Sequence, residues 1–318
     1  LAAAWPFDVI HAHTGLVDGV AGLGLAEAVG RPLLVTEHSS TARDELADPE
    51  AVALYRSLVG APPGEVARRT VAVSRSLADG IGGALGVARD AVGVLPNAVP
   101  IDGFPLGPDA GRDRDELLYV GSRKASKGIE RLLRAVAIAR AERPALRLRL
   151  VGPPGTPDEE AAWRGLIAEL ALVDAVAVEP AAPRVEVAAA MRRAGLFVHP
   201  SPRETFGMVV AEALASGLAV VTTPSGGGDE IVGTDDGRLG EVAAGLEPEA
   251  LAAAILRAHG RAREAGEAAA RRAHVEARYA APAVAERTME IYRELVSKAG
   301  DDAPPATTPT LAVPRPGA

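Results

Sequence analysis

Short apolar runs alternate with Ala/Leu/Arg-rich stretches of helical period along most of the chain, and this alternation constrains the fold more than any other feature. The runs are "DVIHAH" (8–13), "PLLVTEH" (32–38), "TVAVS" (70–74), "AVGVLPN" (91–97), "ELLYVG" (116–121), "LRLRLVG" (146–152), "AVAVEP" (175–180), "LFVHPS" (196–201) and "LAVVTTP" (218–224). Between them lie helical stretches such as 127–142 and 206–216. Strands rich in β-branched residues that alternate with helices predict parallel sheets covered by helices. One break interrupts the pattern: "VPIDGFPLGPDAGRDRD" (99–115) is polar and rich in Gly and Pro, and a fresh strand with a Gly turn follows it. The expected architecture is therefore α/β, with two doubly wound, Rossmann-like domains at 1–108 and 109–280. Ligands in such sheets bind outside the carboxyl ends of the strands, and two such domains facing each other would form a deep cleft. A further helix is expected at 281–298, with Val284, Met289, Ile291 and Leu295 as its apolar stripe and a return onto the N-terminal domain. The Pro/Thr/Ala-rich 299–318 reads as a disordered tail.

Composition narrows the function. The chain has 318 residues, 48% of them hydrophobic, which is enough for two cores. Its formal net charge of -8 argues against a nucleic-acid partner. It has no Cys, which excludes disulfides and thiolate chemistry and fits a reducing cytoplasm. No apolar run approaches the roughly 18 residues of a membrane span.

Two stretches carry candidate chemistry. In "YVGSRKASKGIERLL" (119–133) a strand ends at Gly121, a loop with Arg123, Lys124 and Lys127 follows, and a helix starts near Lys127 or Gly128. Cations beside a helix N-terminus make an anion site, although the spacing is neither a P-loop nor GxGxxG, and a solvated basic loop reads equally well. In "SPRETFGMVVAEALASG" (201–217) one acid, Glu204, precedes a helix and a second, Glu212, lies inside it. Glu204 or Thr205 is expected to cap that helix, with Phe206, Gly207 and Met208 in its first turn. Eight helical positions would rise roughly 12 Å, too far for both acids to grip one atom but suited to the two ends of a long ligand. A nucleotide sugar has that shape, with its charged diphosphate left for the helix N-terminus. Otherwise Glu204 only serves the helix dipole and Glu212 is a surface acid.

The two acids in "PSPRETFGMVVAEALASGLAVVTT", with seven residues between them, resemble the retaining glycosyltransferases of family 4, which have the GT-B fold. "DVIHAH", "VTEHSS", "VAVSRSLADGI", "VLPNAVPIDGF", "LLYVGSRKASKGIERLLRA", "LRLVG" and "GGGDEIV" follow in that family's order. The resemblance implies that Glu204 contacts sugar hydroxyls of the donor and that Glu212 holds the nucleoside ribose. It implies that Gly121, Lys124 and the amides of Phe206, Gly207, Met208 and Val209 line the donor site, and that Lys127 neutralises the leaving diphosphate. Where the family places a second cation directly after the strand Gly, this chain has Ser122, so the charge falls to Arg123 or Lys124. His38 matches the histidine that faces the donor sugar, and His13 becomes an acceptor contact. The family also begins with a strand, a Gly-rich turn and further units that have no counterpart here, so the N-terminal domain is expected to be incomplete.

The expected activity is retaining transfer of a sugar from a nucleoside-diphosphate sugar to a glycan, lipid-linked or small-molecule acceptor. No metal or other cofactor is expected, and the setting is cytoplasmic, with peripheral contact at the inner membrane face left open. The alternative is a non-catalytic nucleotide-sugar-binding module or inactive fragment. A nicotinamide dehydrogenase fits poorly, because no GxGxxG follows any strand. "HAH" (11–13) could be a metal pair, but His259 and His274 lie in helical Arg/Ala stretches. His11 and His199 read as satisfied core histidines, and "PSGGGDEIVG" (224–233) as a strand-to-helix turn or an anion loop.

Overall fold

The computed structural model describes residues 7–39, 42–62, 65–107, 111–233, 237–261 and 266–302. The chain forms two compact units, one of residues up to Leu95 together with those from Glu286 onward, the other Pro96–Ala285. The polar stretch at 99–115 therefore lies within the second unit, and the division falls ahead of it.

The first unit holds a four-stranded parallel sheet in the order β1-β2-β3-β4: β1 (Ile10–His13), β2 (Leu33–Glu37), β3 (Arg68–Ala72) and β4 (Val92–Val94). A π-helical turn, Gly15–Gly19, leads into α1 (Val20–Val29), and α2 (Ala42–Glu45), α3 (Pro49–Arg56) and α4 (Arg75–Leu85) complete the crossovers. These strands step in one direction without reversal, which is half of a doubly wound pattern. Leu33, Val35, Ala26 and Leu58 pack together as a core.

The second unit carries a six-stranded parallel sheet: β5 (Asp113–Val120), β6 (Arg147–Val151), β7 (Val176–Glu179), β8 (Ala194–His199), β9 (Val220–Thr222) and β10 (Gly240–Val242). The order β10-β9-β8-β5-β6-β7 is that of a complete doubly wound sheet, and its direction reverses between β5 and β8. The helices are α5 (Ile129–Glu142), α6 (Pro157–Glu169), α7 (Arg184–Arg193), α8 (Met208–Ala215), α9 (Gly227–Val232), α10 (Pro248–Gly260) and α11 (Glu267–Tyr279). Leu117, Ile129, Leu132, Leu148, Leu196 and Ile255 are among the core side chains, each stabilising the fold by about 1.5–3 kcal/mol.

The nine strands read from the sequence all appear, while β10 does not announce itself in a three-residue run that starts on Gly. The last helix, α12 (Ala281–Asp302), runs past the expected end at 298. Of its expected stripe, Val284, Ile291 and Leu295 are buried but Met289 is 45% exposed. Positions 284, 288, 291 and 295 follow the helical period, so Thr288 rather than Met289 falls in line. The remainder of the expected tail, 303–318, lies outside the described residues.

Candidate active site

At the switch point of the second sheet the loops after β5 and β8 leave the carboxyl ends of neighbouring strands. The first loop passes through a 3-10 turn, Ala125–Lys127, into Gly128, which caps α5 in the left-handed region at φ 77. A side chain at Gly128 would run into the Pro200 carbonyl, so the two loops touch backbone to backbone here. That contact brings Lys127 Nζ to 3.0 Å from Glu204 Oε2. Lys127 is 36% exposed and Glu204 19%. Burial opposes ionisation of Glu204, but His199 and Lys127 beside it outweigh that and hold its carboxyl at about 2.

The helix after Glu204 starts later than the sequence implies. Neither Glu204 nor Thr205 caps it; Gly207 does, at φ 97 and ψ 52, a conformation open chiefly to glycine. A Cβ there would lie 3.1 Å from Gly228 Cα. Helix α8 begins at Met208, so the eight-position helical rise between the acids does not apply. Val210 and Ala211 N–H donate back to the Gly207 carbonyl at 3.0 and 3.2 Å, which leaves the Met208 and Val209 amides ahead of the first intrahelical bond. Phe206 is buried, edge-on to Tyr279.

Glu212, on the same helix, is 13% exposed, and Arg184 Nη2 lies 3.7 Å away. Burial pushes the Glu212 carboxyl above the ordinary range, and Arg184 offsets only part of this. Arg184, which also lies over the Phe104 ring, opens α7 directly after Pro183, and nothing in the sequence marks it as a partner of Glu212.

Arg123, expected as one of two candidates for the second cation, is already paired within the fold. Its guanidinium donates to both Glu160 oxygens at 3.0 and 3.1 Å and to the Gly152 and Glu179 carbonyls at 2.5 and 2.9 Å. Only 6% exposed, it staples the ends of β6 and β7 to α6. Trp163 donates to its carbonyl at 2.9 Å. Lys124 is exposed, with Glu159 as a neighbouring charge. Gly121 donates its N–H to the Val151 carbonyl at 3.0 Å, the last rung of β5 on β6.

In "PSGGGDEIVG", Asp229 accepts from the Ser225 and Gly226 amides at 2.9 and 2.5 Å, so its own carboxylate fills the anion position of that loop.

A separate constellation lies in the first unit. Its three histidines, His11, His13 and His38, sit side by side: His11 stacks on His13 with centroids 4.4 Å apart, and His13 Nδ1 meets His38 Nε2 at 2.9 Å. Both His11 nitrogens are taken, by Tyr292 and Thr36 hydroxyls at 2.7 Å each, which removes it as a metal ligand. Burial, then the neighbouring His13 and His38, lower its pKa to about 4. Beside His38 stands Glu37, 2% exposed, which accepts from the Gly15, His38 and Ser39 amides and the Tyr55 hydroxyl at 2.7–2.8 Å. Glu37 carries one signal in the sequence, an acid closing the strand "LLVTE" directly before His38.

Comparison with known proteins places this two-unit arrangement in a family. The family described as "Glycosyl transferases group 1" matches residues 108–271, and "Glycosyltransferase Family 4" matches residues 1–102. The chain belongs to the group 1 glycosyltransferases and has the GT-B fold. It is 32% identical to a D-inositol 3-phosphate glycosyltransferase from Thermobispora bispora over 70% of this chain and 55% of the relative. It is 31% identical to D-inositol 3-phosphate glycosyltransferase 1 of Catenulispora acidiphila, over 84% and 70%. The chain thus spans little more than half the length of several such relatives. Among solved structures, sucrose-phosphate synthase from Thermosynechococcus elongatus superposes with a TM-score of 0.71 at 24% identity, covering 93% of this chain and 76% of that one. Anabaena HepE, solved with UDP, superposes with a TM-score of 0.74 at 22% identity, covering 91% and 79%. Among the described residues no helix is long and apolar enough to cross a membrane.

Proposed function

We propose that the second unit binds a nucleoside-diphosphate sugar at the carboxyl ends of β5 and β8, and that the full protein transfers the sugar with retention to a small polar acceptor. The observation that carries this reading is the Lys127–Glu204 contact at 3.0 Å, which joins a cation and an acid from two loops that flank the switch point. Lys127 and the Met208 and Val209 amides would meet the diphosphate. Glu204 would orient the sugar, and Glu212 the ribose. In the step itself the bond from the anomeric carbon to the phosphate oxygen breaks while the acceptor oxygen bonds to the same face of that carbon. The acceptor proton passes to the departing phosphate, and Lys127 stabilises the charge that develops there. The reading uses no metal. The acceptor preference rests on relatives named for D-inositol 3-phosphate, since phosphate and hydroxyls on a small ring are chemistry that His13 and His38 can hydrogen-bond.

Calorimetric titration with UDP, GDP and ADP tests the donor side. At least one should bind, and Lys127→Ala should weaken it about ten- to a hundredfold, the worth of one charge-assisted contact, while leaving the parent nucleoside little changed. Equal diphosphate affinity for wild type and Lys127→Ala would remove Lys127 from the diphosphate.

A further inference from the structure

His199 closes β8 with its side chain only 4% exposed, yet among the described residues neither ring nitrogen makes a hydrogen bond. It is a core histidine but not a satisfied one. A buried imidazole gives up its bonds to water and needs a partner in return. The nearest charged group is Glu204, whose Oε2 lies 3.5 Å from Nε2. Lys127 already holds that same oxygen at 3.0 Å. The ring has little room to move elsewhere: a Cβ at Gly228 would lie 3.3 Å from its Cδ2, and Phe197 stacks on it with centroids 6.5 Å apart.

Lys127 has two claims on it. In this structure it neutralises Glu204; on the donor reading above, on which this inference rests, it meets a diphosphate. An ammonium drawn to a phosphate leaves a largely buried carboxylate short of a partner. We propose that His199 is a positioning residue for Glu204, whose Nε2–H takes over the carboxylate when an anionic ligand draws Lys127 away. Closing 3.5 Å to an ordinary N–H···O distance needs a shift of about half an ångström. The neutral ring suffices, with its proton on Nε2, and no proton is transferred. Glu204 thereby stays ionised and aimed while Lys127 is engaged elsewhere.

The test is a double-mutant cycle read by calorimetric titration with UDP, GDP, ADP and inorganic pyrophosphate, with melting curves to confirm folding. His199→Leu should weaken diphosphate binding about tenfold although the ring does not touch the ligand. His199→Gln, whose amide can donate from the Nε2 position, should stay within about threefold of wild type. In a Glu204→Gln background the leucine change should shift affinity by less than about twofold. If the leucine variant does not fold, His199→Asn, whose amide falls at the Nδ1 position, takes its place in the cycle. An equal loss in both backgrounds would mean that His199 only supports the fold, and would overturn the inference. So would equal affinity of wild type and either variant that lacks a donor at the Nε2 position. Absence of any diphosphate binding to wild type would overturn the donor reading and this inference together.

Discussion

Replacing Glu204 with Gln separates the two acids of α8 and its approach. In the structure Lys127 is engaged by Glu204 at 3.0 Å, with the two side chains 36% and 19% exposed. A partly buried pair of this kind is worth about 1 kcal/mol. A diphosphate that recruits Lys127 must break it, so the pair lowers ligand affinity by up to about fivefold. Glu204→Gln removes the competitor and should tighten UDP, GDP or ADP binding by about two- to fivefold. In the full protein it should lower kcat for sugar transfer, because orientation of the sugar matters most as charge develops at the anomeric carbon. Glu212→Gln should do the opposite to the ligand, weakening the diphosphate about tenfold through the ribose. Because the Glu204 carboxyl titrates at about 2, wild type keeps the competing charge throughout the neutral range. The gain in Glu204→Gln should therefore be the same at pH 6 and pH 8, as isothermal titration at both values would read. Weaker diphosphate binding by Glu204→Gln than by wild type would refute the competition, and an unchanged affinity in Glu212→Gln would take the ribose from Glu212.

Two further outcomes follow from the buried groups. Arg123→Ala strands Glu160 and the Gly152 and Glu179 carbonyls, so it should cost about 3–5 kcal/mol and lower the melting temperature by roughly 10 °C; diphosphate affinity per folded molecule, measured by titration, should hold within about threefold. His11 has a folded pKa of about 4, below its unfolded value of 6.5, so the folded state resists its protonation. The stability this gives is complete above pH 6.5 and is lost as pH falls toward 4. Denaturant unfolding at pH 7 and pH 4.5 should show a smaller drop in His11→Gln than in wild type.

Much of this was legible in the sequence, for identifiable reasons. Parallel strands covered on both faces are continuous apolar runs, and β5, β6 and β8 stand out on that ground. The acids at 204 and 212 stand out because they interrupt an apolar context. Side-chain allegiance was not legible. Arg123 and Lys127 lie four residues apart in one basic loop, and only the fold shows that the first is consumed by Glu160 and two strand-end carbonyls. The start of α8 was misplaced because Gly207 caps it through its backbone, while Thr205 and Glu204 offer the side-chain caps that sequence rules look for. Glu37 goes unmarked in the sequence, and His199 reads there as a satisfied core histidine, for a related reason: one-dimensional pattern marks a residue as buried without showing whether its polar atoms are paired.

Glu204 is held at the main chain as well as at its carboxylate. Its N–H donates to the Ser225 carbonyl at 2.9 Å, and its own carbonyl accepts from Gly227 N–H at 2.9 Å, a single parallel bridge between the loops that follow β8 and β9. Those loops are therefore measured against one common ruler. Adding or removing one residue between His199 and Glu204 would put the neighbouring residue into the bridge and turn the acid to the opposite side, and the same change between Thr222 and Ser225 would shift the segment to which the acid is bridged. Loop length here is as much a part of the site as residue identity, and a homologue that keeps the acid but changes either count has kept the letter without its position.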